Sequence, residues 1–194
     1  MIWLFVVAGL FCAPSKALGN PAGAWFLDHL ALDVAAVTAW RVAWTDDRNP
    51  GFNMLGGGGE LHLGMEFDSG FGFLLGTRAV FGPKRSTLGG DTHADVAGHA
   101  LLLFRVTDWV RISAGPTAGR LWQVDTRSDA AAYADAPSIG GLLRFGIDVY
   151  PRQSNVLKAI AFWLRIQFDG HPGKSESTLP STSLSMSGSL GIRL

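Results

Sequence analysis

Apolar side chains recur at every second position along most of this 194-residue chain. The stretch SLSMSGSLGIRL at residues 183–194 places leucine, methionine and isoleucine in one row and mainly serine in the other. Successive residues of a strand point to opposite faces, whereas a helix of 3.6 residues per turn mixes the two rows. The alternation therefore predicts β-strands, each with one apolar face.

Seven further runs of the same kind precede this stretch, and no segment of helical period interrupts them. The fifth run begins at Val110 and reaches Gly115, just before Pro116. The predicted strands cover residues 29–45, 60–67, 71–81, 94–106, 110–115, 138–149, 160–169 and 183–194.

The connections between these strands alternate in length. Short links lie at 68–70, 107–108 and 151–157, and longer polar connections rich in Gly and Pro lie at 46–59, 82–92, 123–137 and 170–181. Sequential strands joined alternately by short and long connections indicate an antiparallel up-and-down meander. The run Gly56–Gly59 is interpreted as a loop or a flexible strand entry, because no lysine and helix follow it to form a phosphate cradle.

Alternation alone does not decide which row faces inward. A soluble eight-stranded barrel of the lipocalin type would bury the apolar row and expose the other row to water. The second row is rich in Gly, Ala and Ser and nearly lacks Lys, which favours a filled lumen. Its bases are arginines, whose planar guanidinium suits confined ion pairs. We expect a lumenal charge network of Asp33, Arg41, Glu60, His62, Glu66, Arg78, Asp95, His99, Arg105, Arg111, Arg144, Asp148, Arg165, Asp169 and Arg193.

Large aromatic residues of the apolar row lie near the predicted strand ends. Trp44, Phe81, Trp122 and Phe168 lie toward the long connections, and Phe67, Phe71, Phe104 and Trp109 lie toward the short links. Two aromatic belts are typical of the two membrane–water interfaces of a transmembrane barrel. Because every backbone donor must be paired in lipid, strands span a bilayer only as a closed barrel. The sequence therefore predicts an all-β, eight-stranded antiparallel up-and-down transmembrane β-barrel.

This pattern and topology resemble the small outer-membrane barrels of Gram-negative bacteria, such as outer-membrane protein X and the transmembrane domain of outer-membrane protein A. The resemblance implies a bacterial outer-membrane location with both termini in the periplasm and the four long connections outside. It implies contact with outer-membrane lipid and lipopolysaccharide, and recognition of the last strand by the barrel assembly machinery. That family usually ends in Phe or Trp, whereas this sequence has Leu194.

The first seventeen residues, MIWLFVVAGLFCAPSKA, form an apolar run followed by small residues. Ser15 and Ala17 fit the small-x-small pattern that precedes a signal-peptidase cut. We therefore expect a signal peptide at 1–17 and the barrel domain at 18–194. Cys12, the single cysteine of the sequence, would leave with the signal peptide, and the bulky Phe11 before it argues against a lipoprotein anchor.

No motif in the sequence indicates chemistry. The formal net charge is zero, which excludes the electrostatic footprint of a nucleic-acid-binding protein. Glu60, His62 and Glu66 are neighbours on one strand face without a second histidine or a cysteine nearby, so neither a metal nor a cofactor is expected. A His-x-Ser pair would favour similarity to the lipid-modifying barrels, but none of the five histidines belongs to such a pair. His62 and His99 are expected to form hydrogen bonds within the lumen.

The functional hypothesis is a non-enzymatic integral outer-membrane protein with a plugged polar lumen and a structural or surface-interaction role carried by its long loops. The sequences of these loops indicate no particular partner. A narrow channel for ions or small solutes and a lipid-modifying enzyme are the alternatives. Two local features complete the prediction: Pro116 indicates a bulge or an early exit of the fifth strand from the bilayer, and Arg120 lies in the outward row, where it can reach the headgroups.

Overall fold

The computed structural model describes residues 25–26, 28–44, 50–85, 92–125, 132–151, 159–172 and 181–193. The expected signal peptide at 1–17 lies outside these residues. The chain divides into two compact units, Met1–Leu30 and Ala31–Leu194. In the first unit, His29 Nδ1 donates a hydrogen bond of 2.7 Å to the Trp25 carbonyl oxygen. No helix in the described part of the chain is long and apolar enough to cross a membrane.

Eight strands form one closed antiparallel barrel in which each strand pairs with its sequence neighbours. The strands are β1 (Leu30–Trp44), β2 (Pro50–Glu66), β3 (Phe71–Arg85), β4 (Thr92–Thr107), β5 (Val110–Asp125), β6 (Ala132–Pro151), β7 (Ala159–Gly170) and β8 (Thr182–Arg193). The predicted fold class and strand count are therefore confirmed.

The barrel closes where β8 pairs with β1. The register runs from Asp33 opposite Arg193 to Trp44 opposite Thr182, and β8 pairs with β7 on its other side. The last strand therefore pairs with the first, as the predicted closed barrel requires. The seam presents a smooth inner face, because its inward residues Ser183, Ser185, Ser187 and Ser189 are all buried and small.

Several strands extend further than the alternation predicts. Residues 50–59 belong to β2 and 132–137 to β6. Of the two interpretations of Gly56–Gly59, the loop is wrong and the strand is correct, because Gly57, Gly58 and Gly59 pair with β3. A strand of 17 residues is roughly 56 Å long at ~3.3 Å per residue. Even at a tilt of ~45° it rises well beyond an apolar band of ~25 Å. Outside that band the outward residues need not be apolar, so the sequence pattern fades before the strand ends.

The bulge predicted at Pro116 is not formed, so that alternative is wrong, and β5 continues past Pro116 to Asp125. Pro116 lies opposite Gly141 of β6, and the register with β4 is the same on both sides, with Ala114 opposite Leu102 and Thr117 opposite His99. A proline lacks the backbone donor of one ladder bond, and in this barrel the loss does not displace the strand. The register shifts instead near the short links, between Arg105 and Thr107 and between Asp148 and Tyr150.

The link between β2 and β3 is a tight turn that depends on one glycine. Gly70 has φ = 82°, in the left-handed region that glycine adopts without strain. Its N–H donates to the Phe67 carbonyl oxygen at 2.8 Å, and the Phe67 N–H donates to that of Phe71. This turn sets the register that places alternate residues of both strands on the same side of the wall.

The outer surface of the barrel is apolar. Leu102 and Leu164 are 76% and 51% exposed, and the row they belong to continues around the wall. Among the predicted belt residues, Phe71, Phe81, Phe104, Trp109 and Phe168 are exposed, and Trp44, Phe67 and Trp122 are partly exposed. The rings of Phe71 and Phe104, on adjacent strands, lie 5.0 Å apart. Apolar side chains therefore face outward and polar ones inward, the reverse of a water-soluble barrel.

Candidate functional site in the barrel lumen

The inward rows of the eight strands bring the predicted charged residues together in the lumen. All thirteen form ion pairs within the set. The side chain of Arg105 is 31% exposed, and the other twelve are 12% exposed or less. Because a buried charge is costly unless it is paired, the near balance of acids and arginines is what allows this interior to exist.

The long-connection cluster, which lies toward the long connections, contains Arg41, Arg78, Asp95 and Asp169. Asp95 Oδ2 accepts from Arg41 Nη2 at 2.6 Å and from Arg78 Nη2 at 2.7 Å. Arg41 Nη2 also lies 3.4 Å from Asp169 Oδ2. Thr117 donates to the other oxygen of Asp169 at 3.0 Å. The cluster thereby ties β1 to β4 across the lumen.

The central cluster contains Asp33, Glu60, Arg144 and Arg165. Arg144 donates to Asp33 Oδ2 at 2.8 Å and to Glu60 Oε1 at 3.3 Å, and Arg165 pairs with Glu60 Oε2. Ser189 also donates to Glu60, at 2.9 Å. Both oxygens of Glu60 are therefore bonded, and the cluster connects β1, β2, β6, β7 and β8.

An aromatic ring supports the central cluster from one side. The guanidinium carbon of Arg144 lies 4.4 Å from the centroid of the Trp163 ring. Trp163 is buried on the inward row of β7, as the alternation predicts, together with Leu142 of β6. A guanidinium over an indole face gains electrostatic attraction from the ring. Trp163 therefore fills the lumen and also orients Arg144.

The short-turn cluster, at the opposite end, contains Glu66, Arg105, Arg111, Asp148 and Arg193. Glu66 accepts from Arg111 Nε at 2.8 Å and lies 3.2 Å from Arg105 Nη1 and 3.7 Å from Arg193 Nη2. Asp148 pairs with Arg111 and lies 3.4 Å from Arg193. The cluster therefore contains three arginines and two carboxylates, and each carboxylate pairs with more than one arginine.

The rings of His62 and His99 lie next to each other in the lumen, on the two strands that flank Gly76. Gly76 lies opposite both residues in the register, and their ring centroids are 5.7 Å apart at 87°. A Cβ at Gly76 would lie 2.2 Å from His62 Cδ2, so the glycine makes room for the ring. Within the described residues neither ring nitrogen of either histidine has a hydrogen-bond partner, so the expected hydrogen bonds are not observed. The neighbouring carboxylates instead accept the stronger charge-assisted bonds of arginines.

A histidine–serine contact that the sequence does not predict lies just beyond β7. The Ser183 hydroxyl and His171 Nε2 are 2.9 Å apart, and His171 Nδ1 lies 3.2 Å from the Pro137 carbonyl oxygen. A carbonyl can only accept, so Nδ1 donates to it and Nε2 accepts from Ser183. Burial, reinforced by the nearby Arg41, holds the pKa of His171 below its usual value.

The His171–Ser183 contact has no local sequence signal, because the two residues are twelve positions apart and meet through strand pairing. Both residues are buried, at 4% and 0% exposure. The contact therefore links β6, β7 and β8 and does not present a nucleophile to a substrate. Among the described residues, no group of three or more His, Cys, Asp or Glu side chains could hold a metal ion.

Arg120 lies on the outside of the barrel, as predicted. Its side chain is 58% exposed and pairs with Asp135 of β6. Arg120 is two residues from Trp122 of the belt, a depth at which long cationic side chains reach the interface.

A closed antiparallel barrel with an apolar wall and a charged, internally paired lumen is a transmembrane β-barrel. The solved structures similar to it are small eight-stranded outer-membrane barrels. Neisserial surface protein A matches with a TM-score of 0.54 and 11% identity, over 85% of this chain and 96% of that chain.

The attachment invasion locus protein Ail of Yersinia pestis, in complex with the heparin analogue sucrose octasulfate, gives a TM-score of 0.56 and 11% identity, over 86% of this chain and 99% of that chain. At this identity the likeness concerns the fold. No protein-family model and no curated protein matches the chain.

Proposed function

We propose that this protein is an integral barrel of a Gram-negative outer membrane, with a structural or surface-interaction role carried by its long connections. The observation that carries the proposal is the inverted distribution of side chains, with an apolar wall around a paired, charged lumen. A soluble monomer rarely exposes an apolar patch of more than a few hundred Å². The apolar wall of this barrel surrounds it on all sides, so lipid is the solvent that fits it.

The proposed orientation places the long connections outside the cell and both termini in the periplasm. Outer-membrane barrels have short periplasmic turns and longer extracellular loops, and the tight link at 67–70 fits the periplasmic side. The proposed partners are outer-membrane lipid and lipopolysaccharide around the wall, and the barrel assembly machinery during insertion. Arg120 beside the belt supports a headgroup contact on the side of the long connections.

A contact role for the long connections is supported by loop physics. Loops on a rigid scaffold tolerate variation and carry binding. The similar structures belong to a surface protein and to an attachment protein bound to a sulfated heparin analogue. We propose a comparable surface position for this chain, with a partner that its loops determine.

The lumen argues against the alternative of a channel. Ion pairs cross it between strands that are not neighbours: Arg41 of β1 reaches Asp95 of β4, and Glu60 of β2 reaches Arg165 of β7. Eight strands enclose only enough space for side chains. An ion would have to separate these pairs in order to pass. An enzymatic role lacks a comparable observation, since Ser183 is fully buried.

The proposal is tested by measuring the location of the protein and the conductance of its lumen. The protein should fractionate with outer membranes, resist alkaline carbonate extraction and show the heat-modifiable gel shift of a closed barrel; recovery as a soluble periplasmic protein would end the membrane interpretation. The refolded protein should give no steady conductance in planar bilayers. A double variant, Arg144→Ala with Arg165→Ala, shortens two side chains that cross the lumen and is the matched control in which leak should rise. A stable ohmic pore in the wild type would establish the channel alternative.

A further inference from the structure

A small cavity lies in the lumen between the central cluster and the short-turn cluster. Its volume is about 10 Å³, which is close to the smallest space that holds one water molecule. Residues of both clusters line it, including Asp33 and Arg144 from the central cluster and Glu66, Arg111 and Arg193 from the short-turn cluster. The cavity therefore lies at the junction of two ion-pair systems that share no direct salt bridge among the described residues.

Three of the lining side chains contribute polar atoms without a hydrogen-bond partner in the described part of the chain. They are Asp33 Oδ1, Arg144 Nε and Arg193 Nη1. Their side chains are 4%, 3% and 8% exposed. Arg193 Nη1 forms an ion pair with Asp148 Oδ2 at 3.4 Å but makes no hydrogen bond to it. A buried polar group left without a partner is costly, so these atoms favour a ligand in the cavity.

The chemistry of the three atoms selects the ligand. Arg144 Nε and Arg193 Nη1 are donors and require an acceptor, whereas Asp33 Oδ1 is an acceptor and requires a donor. A halide could accept from both arginines, but it has no proton to donate to Asp33. A metal cation is excluded because the two arginine N–H groups offer it no lone pair and carry the same charge. Water accepts two hydrogen bonds and donates two, and therefore matches the set.

We propose that the cavity is a specific site for one ordered water molecule that joins the central and short-turn clusters. The water accepts from Arg144 Nε–H and Arg193 Nη1–H and donates to Asp33 Oδ1. Through this water, the central cluster, which contains Glu60, and the short-turn cluster, which contains Glu66, belong to one hydrogen-bonded system. Such a water is part of the structure in the same sense as a side chain, because it satisfies groups that no residue reaches.

A crystal structure of the refolded barrel, grown or soaked in sodium bromide, tests the site directly. The expected result is one non-protein density peak at hydrogen-bonding distance from Asp33 Oδ1 and Arg144 Nε, without bromide anomalous signal. An anomalous peak in the cavity would show that the site takes an anion and would overturn the proposal. An empty cavity would overturn it as well.

Solution NMR in detergent micelles provides an independent measurement. The Arg144 Nε–H of the wild type should show a cross peak to a long-lived water, and its absence would contradict the proposal. Ala31 lines the cavity, so Ala31→Val fills it and should remove the cross peak. Ala39→Val is the matched control, because Ala39 is a buried inward residue of the same strand that does not line the cavity. A cross peak that survives Ala31→Val in a heat-modifiable barrel would assign the water elsewhere and refute this site.

Discussion

Replacing Arg144 with alanine tests whether the lumen is a low-dielectric interior held together by ion pairs. The substitution removes the hydrogen bonds to Asp33 and Glu60 and the contact with the Trp163 ring. Glu60 keeps Arg165 and Ser189, whereas Asp33 loses the ion-pair partner that the described residues give it. The main cost is therefore one buried carboxylate left without a counter-charge.

The magnitude follows from this geometry. Breaking a buried pair by removing one partner costs ~3–5 kcal/mol, and we expect Arg144→Ala to reduce the free energy of unfolding by that amount. A reversible urea titration of folding into lipid vesicles, followed by tryptophan fluorescence, measures it. Arg120→Ala is the control, because its ion pair with Asp135 is on the exposed surface, where a pair is worth ~0–1 kcal/mol.

A double variant separates charge from packing. Arg144→Met with Asp33→Leu removes both charges and keeps apolar volume, and replacing a buried pair in this way is often close to neutral. We expect it to recover most of the stability that Arg144→Ala loses. If Arg144→Ala costs no more than Arg120→Ala, the lumen is screened by mobile water and the reasoning from burial fails.

Three further predictions concern the wall, the seam and the long-connection end. Leu164→Arg places a charge on the exposed outer face and should reduce the free energy of unfolding by ~2–4 kcal/mol in the same titration. If the protein also folds in solution without detergent or lipid and loses the same free energy there, the membrane assignment is contradicted. Deleting β8 (Thr182–Arg193) leaves two unpaired strand edges in hydrocarbon, so it should abolish insertion and the heat-modifiable gel shift; a truncated chain that still shows the shift would place the seam elsewhere. Because the pKa of His171 is lowered in the folded barrel, the unfolded chain takes up a proton near pH ~6.5 that the folded chain does not. Stability should therefore fall as the pH drops below that value, and His171→Gln should reduce this slope; an unchanged slope would show that other groups cause it.

Strand number, strand pairing and the two faces of the wall could be predicted from the sequence, because period-two alternation is a local property. The alternation puts Trp163 and Leu142 in the inward row and Leu164 in the apolar row without any knowledge of partners, and the first two are buried whereas the third is exposed. It also assigned the serine row of β8 to the lumen. Alternation cannot locate a strand end that lies beyond the apolar band. For this reason β2 and β6 begin earlier than predicted.

The pairing of individual charges lies beyond local sequence information. Arg144 bonds to Asp33 and Glu60, which are 111 and 84 residues away, because the lumen brings opposite walls together. The same holds for His171 and Ser183, which meet only after β7 and β8 have paired. The outcome at Pro116 has a different cause, since the neighbouring rungs hold the strand in register when one bond is lost.

The seam between β1 and β8 has a consequence for the time course of folding. Asp33 and Arg193 stand opposite each other although nearly the whole barrel lies between them in the chain. The loop-closure entropy of such a contact must be paid before its hydrogen bonds form, and contacts of high sequence separation slow folding. Until the chain closes, β1 remains an open edge with half of its backbone groups free. The unpaired edge of β1 is therefore open to aggregation until β8 has joined the barrel.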